Sequence, residues 1–290
     1  MSQGQGGGGS TVRRMQLGAR LRALRRAAGL TREEAGDPIR SSESKISRME
    51  LGRVGFKERD IDDLLTLYGV DDEQERRGLL EFAREANSPS WWHPYGEVID
   101  TWLQTYLDFE QSAELIRTYE VQFVPGLLQT EAYARAVISL GLTRSAPEEI
   151  ERRARLRMER QKLLQRPEAP RLWAVIDEAV LRRPMGGRAA HREQLNALLE
   201  LTGSTTVRLQ IMPFAAGGHA ASGGAFSILR FPYQELSDVV YIEHLTGGLY
   251  IDKREEVDRY TATISRLFIE AAPLSETPAI LHRILKNLDG

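Results

Sequence analysis

The chain of 290 residues contains no cysteine. Disulfides, thiolate zinc sites, iron–sulfur clusters and cysteine nucleophiles are therefore excluded, and the composition is compatible with a reducing cytoplasm. No apolar stretch approaches the roughly 18 residues that a membrane span needs. Residues 1–10, mostly Gly, Ser and Gln, also lack the apolar core of a signal peptide. We therefore expect a cytoplasmic protein without membrane contact, whose residues 1–11 form a disordered tail.

Patterns typical of metal and nucleotide sites are also missing. The five histidines show neither HxxxH nor HExxH spacing (His93, His191, His219, His244 and His282), so the zinc signal is poor. The glycine-rich segment 217–224 matches neither a phosphate-binding loop nor a dinucleotide fingerprint. We expect a mobile hairpin loop there, with a lid over a pocket as the alternative. The sequence thus predicts no cofactor, no metal site and no catalytic residue.

Charge is distributed unevenly along the chain. The net charge is −2, yet residues 12–57 carry twelve Lys and Arg against five Asp and Glu, which leaves −9 for the remainder. A basic module on an acidic body is what neutralisation of phosphates by one end of the chain requires. A solvated, arginine-rich helix face would give the same counts.

Five short helices are predicted in this basic region and shortly after it. Apolar residues recur at helical spacing from Leu17 to Ala28, and Gly29 suits the end of the first helix. Thr31 is a predicted N-cap, with Glu34 as its capping-box partner. The second helix is expected to end near residue 37, because a proline follows. The predicted helices cover about 12–28, a short stretch after residue 31, 43–50, 58–68 and 72–86.

The third of these helices, Glu43–Glu50, has two inward apolar positions, Ile46 and Met49. Its other positions are short polar or basic residues, which is the pattern of a helix that lies in the major groove of DNA. Thr31-Arg32-Glu33-Glu34, Ser44 to Glu50 and Gly52-Arg53 resemble the Xre/Cro-type helix-turn-helix family, at the family's spacing and without a gap.

This resemblance implies DNA contacts for seven side chains. Arg32 would contact phosphate; Ser42, Glu43, Ser44 and Lys45 would face the bases; Arg48 and Arg53 would approach the backbone. Double-stranded DNA is the predicted partner, and a homodimer is inferred from how such motifs gain affinity.

Three positions depart from the family pattern. Gly36 stands where a small Ala is preferred, and Pro38 lies near the end of the second helix. Glu43 stands where Gln is common; a carboxylate there can accept from cytosine N4 but repels phosphate. A degenerate motif kept for dimerisation or packing is the alternative.

The rest of the chain predicts a second domain. Residues 87–96 contain two prolines and form the expected junction between a helix-turn-helix domain, 12–86, and a C-terminal domain, 97–290. The periodicity of residues 97–165 predicts a mostly helical region. Strand candidates follow at 172–176, 207–212, 226–231, 239–242 and 249–251, with helices at about 190–201 and 253–271. The predicted fold class is α+β: an all-α five-helix domain, then a helical segment and a small sheet with flanking helices.

The C-terminal domain carries a second resemblance. EVQFVPGLLQTEAYAR (Glu120–Arg135), together with VRLQIMPF (Val207–Phe214) and VVYIE (Val239–Glu243), looks like the actinobacterial regulators that join an Xre-type helix-turn-helix to a domain of unknown function. The resemblance implies an antitoxin-like pairing with a small partner protein, and roles in development or secondary metabolism. From the residues alone, 124–130 is a turn into a helix that begins near Glu131, capped by Thr130, with Leu127 and Leu128 in the core.

Candidate contacts for a protein partner or a small-molecule effector lie in and beside the strands: Trp173, Glu178, Phe214, His219, Tyr241 and Glu243. The aromatic residues are expected mostly in the core, with an aromatic effector pocket as the alternative. Asp177, Glu178 and Glu243 follow or end strand candidates, and paired carboxylates can perform acid–base chemistry or bind a metal. Since the chain has 41 acidic residues, such pairs arise readily, and we expect no enzyme.

The sequence therefore predicts a homodimeric, sequence-specific DNA-binding transcription regulator, whose C-terminal domain dimerises and binds a partner or effector. The alternatives are an antitoxin-like interaction protein with autoregulatory DNA binding, a DNA-targeted enzyme, and an RNA-binding protein. No aromatic stacking platform supports the last of these.

Overall fold

The computed structural model describes residues 11–141, 146–232 and 236–288. The chain divides into two compact units. Of the described residues, the helical unit comprises 11–94, 104–112 and 236, and the sheet unit comprises 95–103, 113–141, 146–232 and 237–288. The predicted tail lies outside the described residues except for Thr11, where the first helix begins. Within the described ranges, no helix is long and apolar enough to cross a membrane.

The helical unit contains the five predicted helices, each with bounds within about one residue of the expected ones. They are α1 (Thr11–Ala27), α2 (Arg32–Gly36), α3 (Glu43–Glu50), α4 (Glu58–Leu67) and α5 (Glu73–Asn87). The capping box is confirmed: Thr31 Oγ1 accepts from Glu34 N at 3.2 Å, and Thr31 N donates to Glu34 Oε2 at 2.7 Å. Gly29 and Gly69 have φ of 70° and 73°, a left-handed conformation that ends a helix without strain for glycine.

The core of the helical unit forms where α1 and α3–α5 turn their apolar faces inward. Leu17, Leu21 and Ile61 are each 1 % exposed or less. Two glycines let α1 approach the end of α3 closely. A Cβ on Gly18 would lie 2.4 Å from Met49 O, and one on Gly52 would lie 2.4 Å from Met15 N. Because backbone meets backbone here, the orientation of α3 on α1 is fixed.

The sheet unit is built on one mixed sheet. Its strands are β1 (Leu115–Glu120), β2 (Arg171–Asp177), β3 (Val207–Met212), β4 (Phe226–Arg230), β5 (Val239–His244) and β6 (Gly247–Ile251). The order is β3-β2-β1-β4-β5-β6, with β1–β3 parallel and β4–β6 antiparallel to their neighbours. The helices of the sheet unit are α7 (Glu131–Gly141), α8 (Pro147–Gln161), α9 (Glu178–Arg182), α10 (Gly187–Leu201), α11 (Arg254–Glu270) and α12 (Thr277–Leu288). A further helix, α6 (Thr101–Ser112), begins in the sheet unit and belongs to the helical unit from residue 104 onward. The α+β prediction is confirmed.

Three elements were not predicted: β1, the five-residue helix α9, and α12. β1 interrupts the region expected to be mostly helical. It is central and covered on both faces, so its side chains do not alternate between apolar and polar: even Arg117 is buried, paired with Asp238 at 3.0 Å. α12 follows α11 after a short connection and carries Pro278 in its first turn, where proline is tolerated.

Two further expectations are wrong. The segment 217–224 is not a hairpin loop, because β3 and β4, which it connects, are not neighbours in the sheet. Phe214 is not in the core, since it is 59 % exposed. Of the other aromatic residues in or beside the strands, Phe226 and Tyr241 are buried as expected.

The loop after β1, residues 124–130, is held by side-chain amides. Gln129 Nε2 donates to Val124 O at 2.7 Å. Gln194 Nε2 donates to Leu128 O, and its Oε1 accepts from Thr130 N. Leu127 and Leu128 are buried, and the predicted structural role of this motif is thus confirmed.

Candidate nucleic-acid interface

The turn between α2 and α3 explains two departures from the family pattern. A Cβ on Gly36 would lie 2.3 Å from Ser41 O, so even alanine does not fit. Ser41 N donates to Gly36 O at 2.9 Å. Asp37 caps α2, and Pro38 follows the helix, where it breaks no helical hydrogen bond. The expected end of the second helix near residue 37 is confirmed.

α3 presents its polar side to solvent. Ser42 is the N-cap, with its hydroxyl accepting from Lys45 N at 3.3 Å. Glu43 and Ser44 are exposed in the first turn. On the opposite side, Ile46 and Met49 are buried, as predicted. The helix therefore has one anchored face and one open face of short polar side chains.

Four of the predicted DNA-contacting side chains are basic, and the structure places them differently. Arg48 and Arg53 are exposed, the first with Nε donating to Ser44 O at 3.3 Å. Lys45 is half-buried, and its Nζ lies 2.7 Å from Asp60 Oδ2 on α4. Arg32, a third exposed, donates from Nε to Glu50 Oε2 at 3.1 Å. Two of the four are thus held by carboxylates of the same unit.

Glu50 is the buried anchor of this arrangement. Arg25 Nε donates to its Oε1 at 2.5 Å, and the two side chains are 8 % and 2 % exposed. Burial alone would raise the pKa of Glu50, but hydrogen bonds and charge from Arg25 and Arg32 hold it below its usual value. Arg25 also donates to Leu30 O at 2.6 Å. This ion pair connects α1, the start of α2 and the end of α3.

Sequence reasoning did not single out two residues here. Asp60 positions Lys45 from 15 residues further along the chain, and no local signal marks such a tertiary contact. Arg40 is exposed in the turn directly before α3, with φ 49°, the one positive φ outside glycine among the described residues. The excess of basic residues in 12–57 is the signal that includes it.

The predicted C-terminal contacts fall mainly at one edge of the sheet. Because β1, β2, β3 and β5 run in one direction, their ends meet at what we call the carboxyl edge. Glu178 is buried there; its Oε2 accepts from Phe214 N at 2.8 Å and its Oε1 from Arg182 Nε at 2.7 Å. Burial would raise the pKa of Glu178, but the Phe214 N–H and Arg182 lower it.

His219 joins a second cluster on the same edge. Tyr119 OH lies 2.8 Å from His219 Nε2 and donates to Asp177 Oδ2 at 3.3 Å. The His219 and Asp177 side chains are 3.9 Å apart at their nearest N and O. Burial, and then Asp177, raise the pKa of the Tyr119 hydroxyl, so that it stays protonated.

Of the remaining predicted contacts, Tyr241 and Glu243 lie together and Trp173 lies apart. Tyr241 OH donates to Glu243 Oε2 at 3.1 Å. Trp173 stacks on Phe268 with ring centroids 3.9 Å apart, and its Nε1 donates to Gln210 Oε1. The structure thus brings five of the six residues to the carboxyl edge: Glu178 with Phe214, Tyr241 with Glu243, and His219 without another of the six.

Glu120, at the end of β1, was missed together with its strand. Burial, and then Glu243, raise the pKa of Glu120 to about 8, although Arg160 and Arg157 oppose the shift. The carboxyl edge therefore holds one carboxyl group that is largely neutral at pH 7 beside others that are engaged in hydrogen bonds. Among the described residues, no group of three His, Asp or Glu side chains is arranged to hold a metal ion.

Comparison with known families agrees with this geometry. Residues 16–79 match the family described as "Helix-turn-helix domain". With α2 and α3 arranged as above, the protein is a DNA-binding regulator of the helix-turn-helix class. Residues 103–283, more than half of the chain, match "Domain of unknown function (DUF5753)", and the chain belongs to that family. Each match lies within one of the predicted domains. Neither the curated proteins nor the solved structures contain a match.

Proposed function

We propose that the protein is a sequence-specific, Xre/Cro-type transcription regulator of the actinobacterial kind, which acts in the cytoplasm and binds an inverted repeat as a homodimer. The observation that carries this proposal is α3. It is a serine-capped helix anchored by Ile46 and Met49, with Glu43 and Ser44 exposed beside it, in the most basic part of the chain.

Base reading is assigned to the first turn of α3. Serine hydroxyls can donate to or accept from base edges, and Glu43 can accept from cytosine N4. Lys45 reaches a guanine by exchanging Asp60 for the O6 and N7 acceptors. Arg32, Arg48 and Arg53 contact phosphates, and the Arg32 guanidinium stays oriented by Glu50.

The sheet unit is assigned dimerisation and the binding of a small protein or effector at the carboxyl edge. Ligands of sheets with parallel strands commonly bind beyond the carboxyl ends of those strands, where the connecting loops supply the contacts. Here these are the ends of β1, β2 and β3; Glu178 follows β2 directly, and Phe214 lies just after β3. Binding releases DNA by favouring a different spacing of the two helix-turn-helix units. No catalytic role is proposed, because both oxygens of Glu178 already serve Phe214 and Arg182.

A second candidate is an antitoxin-like interaction protein whose DNA binding is autoregulatory. The exposed Phe214 favours it: its ring lies 5.9 Å from the Arg182 guanidinium, and such a pair of apolar and cationic groups suits a protein surface. Co-purification of one small protein, lost with Phe214→Ser and kept with Leu274→Ser, an exposed apolar site elsewhere, would favour this candidate.

A pull-down of genome fragments tests the main proposal, run at about 150 mM salt to suppress nonspecific phosphate binding. The parent protein should enrich a few inverted repeats. Ser44→Glu, which adds negative charge to the exposed side of α3, should abolish the enrichment. Ser265→Glu, exposed on α11, should not. Failure of the parent to enrich any site, or retention of the same sites by Ser44→Glu, would reject the proposal.

A further inference from the structure

The turn between α2 and α3 contains one residue whose backbone conformation is unfavourable for its side chain. Arg40 has φ 49°, in the left-handed region that residues with a Cβ rarely adopt. Among the described residues, every other positive φ belongs to a glycine. Glycine would adopt this conformation without strain, so an arginine at this position carries a conformational cost.

The neighbours of Arg40 hold it in this conformation. Arg40 N donates to Asp37 O at 3.0 Å, and Ser41 N donates to Gly36 O at 2.9 Å. Ile39 is buried, and its carbonyl oxygen accepts from Ser41 Oγ at 3.1 Å. With a buried side chain before it and a hydrogen-bonded serine after it, Arg40 cannot change its φ without breaking the turn that positions α3.

No contact within the described ranges explains why this residue is an arginine. The Arg40 side chain is exposed, and neither a hydrogen bond nor an ion pair holds its guanidinium there. Two other basic side chains beside α3 are held by carboxylates. Lys45 pairs with Asp60 at 2.7 Å. Arg32 pairs with Glu50 at 3.1 Å. Their carboxylates offset part of the positive field at this surface, whereas the charge of Arg40 acts in full.

Arg40 lies directly before the part of α3 that is assigned to the bases. Ser42 caps the helix, and Glu43 and Ser44 are exposed in its first turn. When the first turn of a recognition helix reaches base edges in the major groove, the chain that enters the helix passes close to the phosphates that line the groove. A guanidinium binds phosphate oxygens through paired N–H donors. A backbone phosphate is therefore the ligand that suits both the position and the chemistry of Arg40.

We infer that Arg40 binds a phosphate of the DNA backbone beside the bases that α3 reads, and that this contact is the reason for an arginine at a position that favours glycine. The inference rests on the proposed function, because it adds one contact between the helix-turn-helix unit and its operator. Arg40 thus lowers the stability of the fold and raises its affinity for DNA.

Three variants of the full chain separate the guanidinium from the backbone strain. Arg40→Gly removes both, Arg40→Ala removes the guanidinium alone, and Arg40→Lys keeps the positive charge. Fluorescence anisotropy is measured on the operator that the genome-fragment pull-down identifies and on a scrambled duplex. Arg40→Gly and Arg40→Ala should bind both duplexes about tenfold more weakly, with a slope of log K against log salt that is lower by about one. Arg40→Lys should keep the slope of the parent.

Urea unfolding provides a second measurement, which a purely structural role would move in the opposite direction. The midpoint of Arg40→Gly should be at least as high as that of the parent and higher than that of Arg40→Ala, because only glycine releases the strain. Arg254→Ala removes an exposed arginine of α11. It is the matched control and should bind DNA like the parent.

Two results would overturn the inference while the proposed function stands. One is an Arg40→Gly variant with the operator affinity and salt slope of the parent. The other is an Arg40→Gly midpoint below that of the parent, since the arginine would then serve the fold. A parent that binds no operator would reject the proposed function, and the inference with it.

Discussion

At the scale of single residues, Gly36 determines the geometry of the turn that aims α3. Because Gly36 has no side chain, Ser41 O can approach its Cα closely, and the chain passes through Arg40 at positive φ into the cap of α3. The glycine that departs from the family pattern is therefore required by a backbone contact.

Gly36→Ala should destabilise the protein by about 1–3 kcal/mol, because the methyl group must displace a carbonyl oxygen in a packed turn. Gly78→Ala in α5 is the control. Nothing lies within 4 Å of a Cβ there, and alanine should stabilise the helix by about 1 kcal/mol. Urea unfolding measures both, and equal stability of Gly36→Ala and the parent would show that the turn can relax.

Glu120 provides a residue-scale prediction of pH dependence. Its folded pKa is raised to about 8 from an ordinary value of 4.5. Between these two values the folded protein retains a proton that the unfolded chain has lost, so the free energy of unfolding falls as pH rises through this window. Below 4.5 both states are protonated, and above 8 both are ionised.

Glu120→Gln removes this titration. Thermal midpoints of the variant and the parent should therefore diverge progressively from pH 5 to pH 8, in favour of the variant. Glu168→Gln changes an exposed residue, and its thermal midpoints should stay parallel to those of the parent over the whole pH range. If the thermal midpoints of Glu120→Gln also ran parallel to those of the parent, the pKa of the Glu120 carboxyl would not be raised.

At the scale of elements, α3 combines side chains that read bases with side chains that bind phosphate. Lys45→Ala should weaken binding to the operator by about 1–3 kcal/mol and nonspecific binding far less, because its contact is with a base edge. Arg48→Ala should weaken both and lower the slope of log K against log salt by about one.

Fluorescence anisotropy on operator and scrambled duplexes, over a range of salt concentrations, measures both effects. Asp60→Asn is informative as well: it frees the Lys45 amine from its carboxylate and should tighten binding. Parent-like binding by both alanine variants would remove α3 from its assigned role.

Helices with caps or an apolar face in their own sequence were predictable. A strand whose position depends on its neighbours in the sheet was not. α2 has its capping box and the proline that follows, and α3 has a serine cap and a two-residue apolar face. β1 lacks any such pattern because it is buried on both sides and contains a buried arginine. Because β1 was not predicted, Glu120 and Tyr119 were not recognised as candidate site residues. The grouping of side chains at the carboxyl edge was therefore not predicted either.

The contacts of the predicted site show the same division. The spacing of α2 and α3 identified the polar face of α3, because one helix carries all of it. The ion pairs of Lys45 with Asp60 and of Arg32 with Glu50 depend on packing between helices. No periodicity specifies such contacts, and they change how these two cations can reach DNA.

At the scale of the whole molecule, the account requires two copies of α3 to read two half-sites about 34–36 Å apart, one helical turn of DNA. The operator should therefore be an inverted repeat, and a change in one side chain should alter both half-sites symmetrically. This symmetry separates reading by a dimer from binding by a single copy.

Selection of binding sites from a randomised duplex pool tests the central claim most directly, with the parent and Glu43→Gln. A carboxylate accepts from cytosine N4, whereas glutamine bonds adenine N6 and N7. The account predicts that one cytosine in each half-site is replaced by adenine. Glu73→Gln, at the exposed first position of α5, should select the parental sequence. An unchanged consensus for Glu43→Gln, or no consensus for the parent, would contradict the claim that α3 reads DNA.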